Sequence, residues 1–334
     1  MNCTFYCYFK SFFCLILIIS WGTANTQTLW TKEKKQKIDS ICANGLTESL
    51  IVWSNNELVY SYGDTTETFN IFSIRKSLTS LLLGICQDEG LVDLNSTLAS
   101  LNITEINGLT LEEKQATVYD LLKSKSGVYH AAAFETPGME NKRPERGSHP
   151  PGAHWFYNNW DFNALISILE TATSKPILEY FNRKIVIPLK LDDFNKQEQQ
   201  YIKEENTSIH PAILWRLSSR DLLKIGTLML NNGNYKGVQV VSKEWIRKST
   251  RSYSDLGILG GYGLCWWVAT NGEHFPFFSA SDQTFSARGT GQQILLIIPS
   301  TNTIIVHLTK VESPNDKIMK VTAFGRLLNL IMKS

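Results

Sequence analysis

The stretch Phe72-Ser73-Ile74-Arg75-Lys76-Ser77-Leu78-Thr79-Ser80 decides how the chain reads. It follows an extended run, Thr68-Phe69-Asn70-Ile71, and opens a segment in which Ile74, Ser77, Leu78, Leu81, Leu82, Ile85 and Cys86 recur as far as Glu89-Gly90. That spacing predicts a helix that starts at Ser73. Residues three apart share a helix face, so Ser73 Oγ and Lys76 Nζ can meet. A desolvated lysine loses proton affinity and can then activate a serine hydroxyl as a nucleophile. The helix N-terminus adds partial positive charge and free N–H groups where an acyl oxyanion forms. Taken alone, the same residues also read as an N-capping serine and a solvated lysine, and a four-residue motif cannot choose between the two readings.

Upstream, Leu50-Ile51-Val52-Trp53 and Leu58-Val59-Tyr60-Ser61-Tyr62 flank Ser54-Asn55-Asn56-Glu57, which predicts a β-hairpin. Before it, Ile38, Ile41 and Cys42 form one face of an amphipathic helix over residues 31–43. Downstream, residues from about 91 to 192 are helical and loop-rich. They hold a short helix over 116–122, a loop rich in Pro, Gly and charge over 134–153, and a helix over 158–172. The last third returns to sheet. Ser218-Ser219-Arg220-Asp221 caps a helix, residues 262–268 read as a strand, and residues 293–298 and 303–308 form a hairpin about Pro299-Ser300-Thr301-Asn302. An amphipathic helix over 316–332 closes the chain. Hairpin connections make a sheet antiparallel. The expected fold class is therefore α+β: one antiparallel sheet built from both ends of the chain and flanked by helices, with an all-helical lobe inserted at about 91–192 and the active site between them.

Composition narrows the function. Of the 334 residues, 43% are hydrophobic and 19% charged, and the net charge is +2. That is an ordinary globular balance, without the basic excess a nucleic-acid binder needs. Beyond Lys10, residues 11–21 are almost wholly apolar and too few to span a bilayer comfortably, and Gly22-Thr23-Ala24 offers a small-residue cleavage site. Residues 1–24 thus read as a signal peptide, residues 25–334 as a domain with no membrane span after cleavage, and the protein as secreted or periplasmic. An uncleaved membrane anchor is the alternative. Cys42, Cys86 and Cys265 lie too far apart for a disulfide framework or a zinc site and read as buried small hydrophobes. His130, His149 and His154 bracket the loop before Tyr157 and read as loop residues, not metal ligands.

A partner for Ser73 stands in Trp155-Phe156-Tyr157-Asn158-Asn159-Trp160. A phenol near an ammonium can share or lose its proton and relay one to a leaving group. The Asn159 amide can hold a lysine and a substrate carbonyl together. Alone, this segment also reads as an aromatic core cluster.

Together, Ser73-x-x-Lys76, Gly84, Asp88-Glu89-Gly90, Asp120-Leu121-Leu122, Ser126-Gly127-Val128, Tyr157-Asn158-Asn159, Pro188-Leu189, Leu217-Ser218-Ser219-Arg220-Asp221 and the terminal hairpin resemble the serine β-lactamase and penicillin-recognising family, in its class C and esterase-like branch. The resemblance runs over roughly residues 32–332 and extends to the nylon-oligomer hydrolases. It implies Ser73 as nucleophile, Lys76 as base or proton relay, Tyr157 as proton acceptor and donor, a covalent acyl-enzyme hydrolysed by water, and neither metal nor organic cofactor. The family's third motif, Lys or His-x-Gly on a strand facing the serine, is where this chain departs. Registering the hairpin on Pro299 puts Thr284-Phe285-Ser286 there, with no lysine, although Arg288 is close. In antibiotic-cleaving and cell-wall members that cation holds the substrate carboxylate. In this register Ala287 supplies a second oxyanion N–H, Arg288 stands near the substrate, and Tyr129 lines the cleft.

The expected function is a serine hydrolase that cleaves a small-molecule or short peptide-like ester or amide. A β-lactamase or D-Ala-D-Ala carboxypeptidase and a non-catalytic receptor or scaffold are the alternatives. The sequence leaves the oligomeric state open.

Overall fold

The computed structural model describes Met1, residues 30–312 and residues 316–333. Apart from Met1, the expected signal peptide lies outside these residues.

The chain enters through α1 (Lys32–Asn44), capped by Thr31, whose hydroxyl accepts the Lys34 N–H at 3.1 Å. The hairpin follows as β1 (Thr47–Ser54) and β2 (Glu57–Gly63). Its two-residue turn, Asn55-Asn56, takes φ of 51° and 66°, the left-handed pair that matches the twist of a hairpin and that asparagine tolerates. β3 (Thr68–Asn70) leads into α2 (Ile74–Asp88). Every residue of α2 from Ile74 to Cys86 is buried, which makes it a central helix enclosed on all sides, not an amphipathic surface one.

The middle of the chain supplies α3 (Val118–Leu122), the single turn α4 (Pro137–Glu140), α5 (Asn159–Thr173), α6 (Ile177–Phe181) and, after one π-helical turn, α7 (Ile187–Leu189). A reciprocal Thr117–Asp120 capping box starts α3. Two short strands, β4 (Gln200–Ile202) and β5 (Ala212–Leu214), pair with each other, and β6 (Arg216–Ser218) returns to pair with β3. Next come α8 (Ser219–Leu230), the small hairpin β7 (Asn234–Tyr235) and β8 (Val238–Gln239), and α9 (Lys243–Ser249). The final third runs through β9 (Ser254–Asp255), β10 (Gly261–Tyr262), β11 (Trp267–Val268), β12 (Phe285–Gly289), β13 (Gln293–Ile298), β14 (Thr303–Thr309) and α10 (Val321–Met332).

Eight strands form one antiparallel sheet in the order β2-β1-β14-β13-β12-β11-β10-β9. The first and last thirds of the chain therefore share it, joined by the β1–β14 pairing. The α+β expectation holds. Both faces of the sheet are covered, which is why β13 and β14 are buried without a break. Leu50, Val52, Ile294, Leu296 and Ile305 pack with Ile38 of α1 and with Phe324, Leu327 and Leu328 of α10. On the other face, Ile51, Leu295, Ile297, Ile304 and Val306 join Leu78 and Leu81 of α2 and Leu222 and Ile225 of α8. The alternation follows the two-residue period of a strand.

Two sequence expectations are corrected. Residues 262–268 are not one strand but two, β10 and β11, separated by a turn in which Cys265 has φ of 60°. Bonds to distant backbone hold the break open: the Cys265 N–H donates to Leu122 O at 3.0 Å and the Leu264 N–H to Ser249 O at 2.9 Å. A side chain on Gly263 would stand 2.2 Å from Ser249 O. The closing helix begins at Val321, not Asp316. Just before it, Met319 is buried and its carbonyl accepts from Gln292 Nε2 at 3.3 Å.

Candidate active site

A strained turn presents the serine. Phe72 has φ of 45°, which is unusual for a bulky side chain and found where the surroundings enforce it. Its N–H is caught by Asn70 Oδ1 at 2.9 Å. Ser73 then occupies the first position before α2, but its side chain makes no capping bond. Instead Lys76 Nζ lies 2.7 Å from Ser73 Oγ. The capping-serine, solvated-lysine reading is excluded on both counts, because Lys76 is only 2% exposed.

Burial, with a smaller contribution from the neighbouring Arg75 cation, pushes the Lys76 amine well below its ordinary value. Its surroundings are aromatic: Nζ lies 4.7 Å from the Tyr157 ring centroid and 4.9 Å from that of Phe162. A neutral amine beside a hydroxyl is a base waiting for a proton.

Tyr157 is placed by the residues on either side of it. Asn158 caps α5 through its side chain, which accepts the Trp160 N–H at 3.2 Å. Ser124 fixes the preceding segment, donating its hydroxyl to Phe156 O at 2.6 Å and accepting the Asn158 N–H at 3.2 Å. Asn158 Nδ2 donates to Val128 O at 2.6 Å, and Ser126 donates to Asp161. The Ser126-Gly127-Val128 and Tyr157-Asn158-Asn159 segments are thus one hydrogen-bonded unit. Burial holds the Tyr157 phenol above the usual tyrosine range, against a smaller opposing influence of the Ser73 hydroxyl. Burial thus acts in the same sense on both groups, favouring a neutral phenol on Tyr157 and a neutral amine on Lys76.

Ser73, Lys76 and Asn159 line one cavity of about 410 Å³ together with Phe72, Arg75, Phe134 and Thr290. Asn159 Nδ2 donates to Phe134 O at 2.5 Å, while its Oδ1 has no hydrogen-bond partner among the described residues. Phe134 has φ of 63° and stacks on Phe72 with centroids 6.4 Å apart, so two strained aromatics wall the cavity beside the serine. A larger open cleft of about 670 Å³ lies on the helical side, at Ser167, Glu170 and Tyr201, and contains none of these groups.

Three residues expected near the substrate, Ala287, Arg288 and Tyr129, are not among those that line this cavity. Ala287 is fully buried in β12 opposite Leu295, and Thr290, past the strand's end, lines the cavity in its place. Arg288 is turned away from the cavity: its Nε donates to Ser286 Oγ at 2.9 Å and its Nη2 to His274 O at 2.8 Å, with the guanidinium 3.9 Å from the Phe275 ring centroid. Tyr129 packs edge-on against Phe156 and His149, one layer behind the cavity.

Arg75 was not singled out in the sequence. It is 2% exposed and lines the cavity beside Ser73. Its Nη1 donates to Asn163 Oδ1 at 3.2 Å, but its Nε and Nη2 have no partner among the described residues. The one signal available beforehand was a second cation, next to Lys76, at the start of a helix whose later turns are apolar.

Residues 45–327 match the family model described as Beta-lactamase. Among solved structures, the chain is similar to an octameric penicillin-binding protein homologue from Pyrococcus abyssi, with 21% identity, 89% of this chain and 77% of that one covered, and a TM-score of 0.65. A penicillin binding protein from Bacillus halodurans gives 14% identity, 89% and 98% coverage, and a TM-score of 0.65. A Bacillus anthracis protein that carries the name 6-aminohexanoate-dimer hydrolase by assignment gives 20% identity, 87% and 79% coverage, and a TM-score of 0.64. At these identities the likeness is one of fold.

Proposed function

Because the chain belongs to the Beta-lactamase family, we propose that it is a serine hydrolase that cleaves a small ester or amide through a covalent acyl-enzyme on Ser73. The observation that carries the reading is the 2.7 Å contact between Ser73 Oγ and the buried, deprotonation-prone Lys76. In this mechanism Lys76 takes the Ser73 proton as Oγ attacks the substrate carbonyl. The oxyanion forms beside the Ser73 N–H at the N-terminus of α2, since the N–H groups of Ile74, Arg75 and Lys76 are donated to the carbonyls of Ile71, Phe72 and Ser73. Tyr157, whose phenol burial keeps protonated, donates a proton to the leaving group and recovers one from Lys76. Water then attacks the acyl-enzyme by the reverse proton path, and Ser73 is released.

Turnover of 4-nitrophenyl acyl esters tests the proposal. Ser73→Ala should abolish it, with a loss of at least about 10³-fold. A folded Ser73→Ala protein that retains wild-type turnover contradicts the assignment.

The β-lactamase or D-Ala-D-Ala carboxypeptidase reading keeps the same three residues but needs a carboxylate anchor, and Arg288 is already committed to Ser286 and His274. The amide named for the Bacillus anthracis neighbour keeps amides within the substrate class. The receptor or scaffold reading has no use for a buried lysine held against a serine. We also propose that residues 1–24 direct the protein to a secreted or periplasmic location, a reading supported by the apolar run before Ala24.

A further inference from the structure

We propose that the paired helices α1 and α10 form a basic face that docks the protein on an anionic membrane surface. The inference is independent of the reading of Ser73, and it holds whether or not residues 1–24 are removed.

The two helices lie side by side and antiparallel. At one end Lys34 Nζ donates to Lys333 O at 2.5 Å; at the other, a Cβ on Gly45 would stand 3.3 Å from Met319 Cε. Ile38 and Cys42 of α1, with Phe324, Leu327, Leu328 and Ile331 of α10, turn toward the sheet, which leaves the outer sides of both helices to solvent. Charge is spread unevenly over the chain. Residues 30–44 and 316–333 hold eight Lys or Arg and three Asp or Glu, a net +5, whereas residues 45–315 hold 24 and 28, a net −4. Lys32, Lys35, Lys37, Lys320, Arg326 and Lys333 are all exposed. Of the three acids, Glu33 is bridged by Lys37 at 2.7 Å, and Asp39 accepts the Tyr60 hydroxyl at 2.6 Å. The small net charge of the whole chain thus conceals one basic layer on an otherwise acidic molecule.

An anionic bilayer fits this face better than another polyanion does, because apolar side chains stand among the cations. Ile41 and Leu46 are 38% and 42% exposed at the C-terminal end of α1. Phe277 is 56% exposed beside α10, with the Arg326 guanidinium 4.8 Å from its ring centroid. Cations around exposed aliphatic and aromatic groups are what an interfacial helix offers to headgroups and acyl chains. Each lysine near anionic lipid adds to the attraction, which acts within a Debye length of the surface. The order of the chain agrees. Only residues 22–29 separate the apolar run over 11–21 from Trp30, so a bilayer that takes up that run is within reach of α1. Across the sheet, α2 carries Ser73, and among the described residues this layer borders the Ser73 cavity only through Asp316 and Ile318.

The test is co-sedimentation with vesicles of the chain from residue 25 onward, which holds every described helix and strand. Vesicles of one part phosphatidylglycerol to two parts phosphatidylcholine should bind it, and phosphatidylcholine alone should not. Raising the salt from about 0.1 M to about 0.5 M should release it. Lys32→Gln, Lys35→Gln and Lys320→Gln together should weaken binding about tenfold or more, since each lysine at the surface contributes roughly fivefold. The same charge change at three exposed lysines outside the layer, Lys196→Gln, Lys203→Gln and Lys236→Gln, should leave binding within about twofold. Circular dichroism melts establish that both triple variants are folded, and the comparison of vesicles needs no variant. Equal binding of the wild type to both kinds of vesicle, or binding to neither, overturns the proposal. So does an equal loss in the two triple variants, or no loss in the first. Single-stranded DNA bound through the α1 and α10 lysines, with anionic vesicles left unbound, overturns it too and makes the face a nucleic-acid surface.

Discussion

In the proposed mechanism Lys76 serves as the base because two neighbours act in the same direction: the apolar enclosure disfavours its charge, and the Arg75 cation disfavours it further. The consequence for pH has a definite sign. Activity requires the neutral amine, so kcat/KM rises as pH rises through the folded-state value. With that value depressed, the half-rise falls well below the ordinary ~10.4. Tyr157 is held above its usual range, so its deprotonation removes no activity below about pH 10. Stability moves the same way: between the depressed folded value and the ordinary one, the unfolded chain carries a proton that the folded chain lacks, so stability rises with pH across that window. Lys76→Ala and Tyr157→Phe should each lower kcat/KM by about 10²–10⁴-fold, with non-additive effects in the double variant. A pH–rate profile with its acid limb near the free-lysine value contradicts the assignment of the base. At this scale the sequence was informative where chemistry fixes spacing: Ser73 and Lys76 are one helical turn apart, and Tyr157 precedes a capped helix. It was uninformative where direction matters. Arg288 and Arg75 are both arginines beside the motifs, and only long-range packing on His274, Phe275 and Asn163 determines which one meets the cavity.

Among the elements, α2 carries the most. It bears the serine and lysine, and its far end packs against α9. A Cβ added to Gly84 would stand 2.4–2.5 Å from the Trp245 ring, a rigid, fully buried neighbour with no room to withdraw. Gly84→Ala should therefore destabilise the fold by about 1–3 kcal/mol through overpacking, read as a lower urea midpoint with an unchanged slope. An unchanged midpoint would mean that α9 is free to move. Helices with a clear period were legible in the sequence, as were the hairpins marked by Asn55-Asn56 and by Pro299-Ser300. The break between β10 and β11 was not. Tyr262-Gly263-Leu264-Cys265-Trp266-Trp267-Val268 has the composition of a strand, and only bonds to Leu122 and Ser249, far away in sequence, interrupt it.

The molecule as a whole is a sheet covered on both faces, with its two chain ends paired through β1 and β14. α1 and α10 cover one face and make no contribution to the cavity, yet the strand ends that reach the site depend on them. Phe324, Leu327 and Leu328 are fully buried. Leu328→Ala should cost about 2–5 kcal/mol, a large part of the 5–15 kcal/mol typical of a whole fold, and should lower the melting temperature while leaving the pH–rate profile of the remaining folded enzyme in place. A shifted profile would mean that this layer couples to the site. The overall architecture was readable because the order of helix, hairpin, helical middle, strands and helix admits few layered solutions. The substrate was not, because it depends on which polar groups the packing leaves unpaired.

The central claim, that Ser73 becomes covalently acylated, is tested most directly by intact-mass and peptide-level mass spectrometry after treatment with a fluorophosphonate. One adduct per chain, mapped to Ser73 and absent from folded Ser73→Ala, is the result this mechanism predicts. An adduct that persists in Ser73→Ala, or maps to another residue in the wild type, would contradict it.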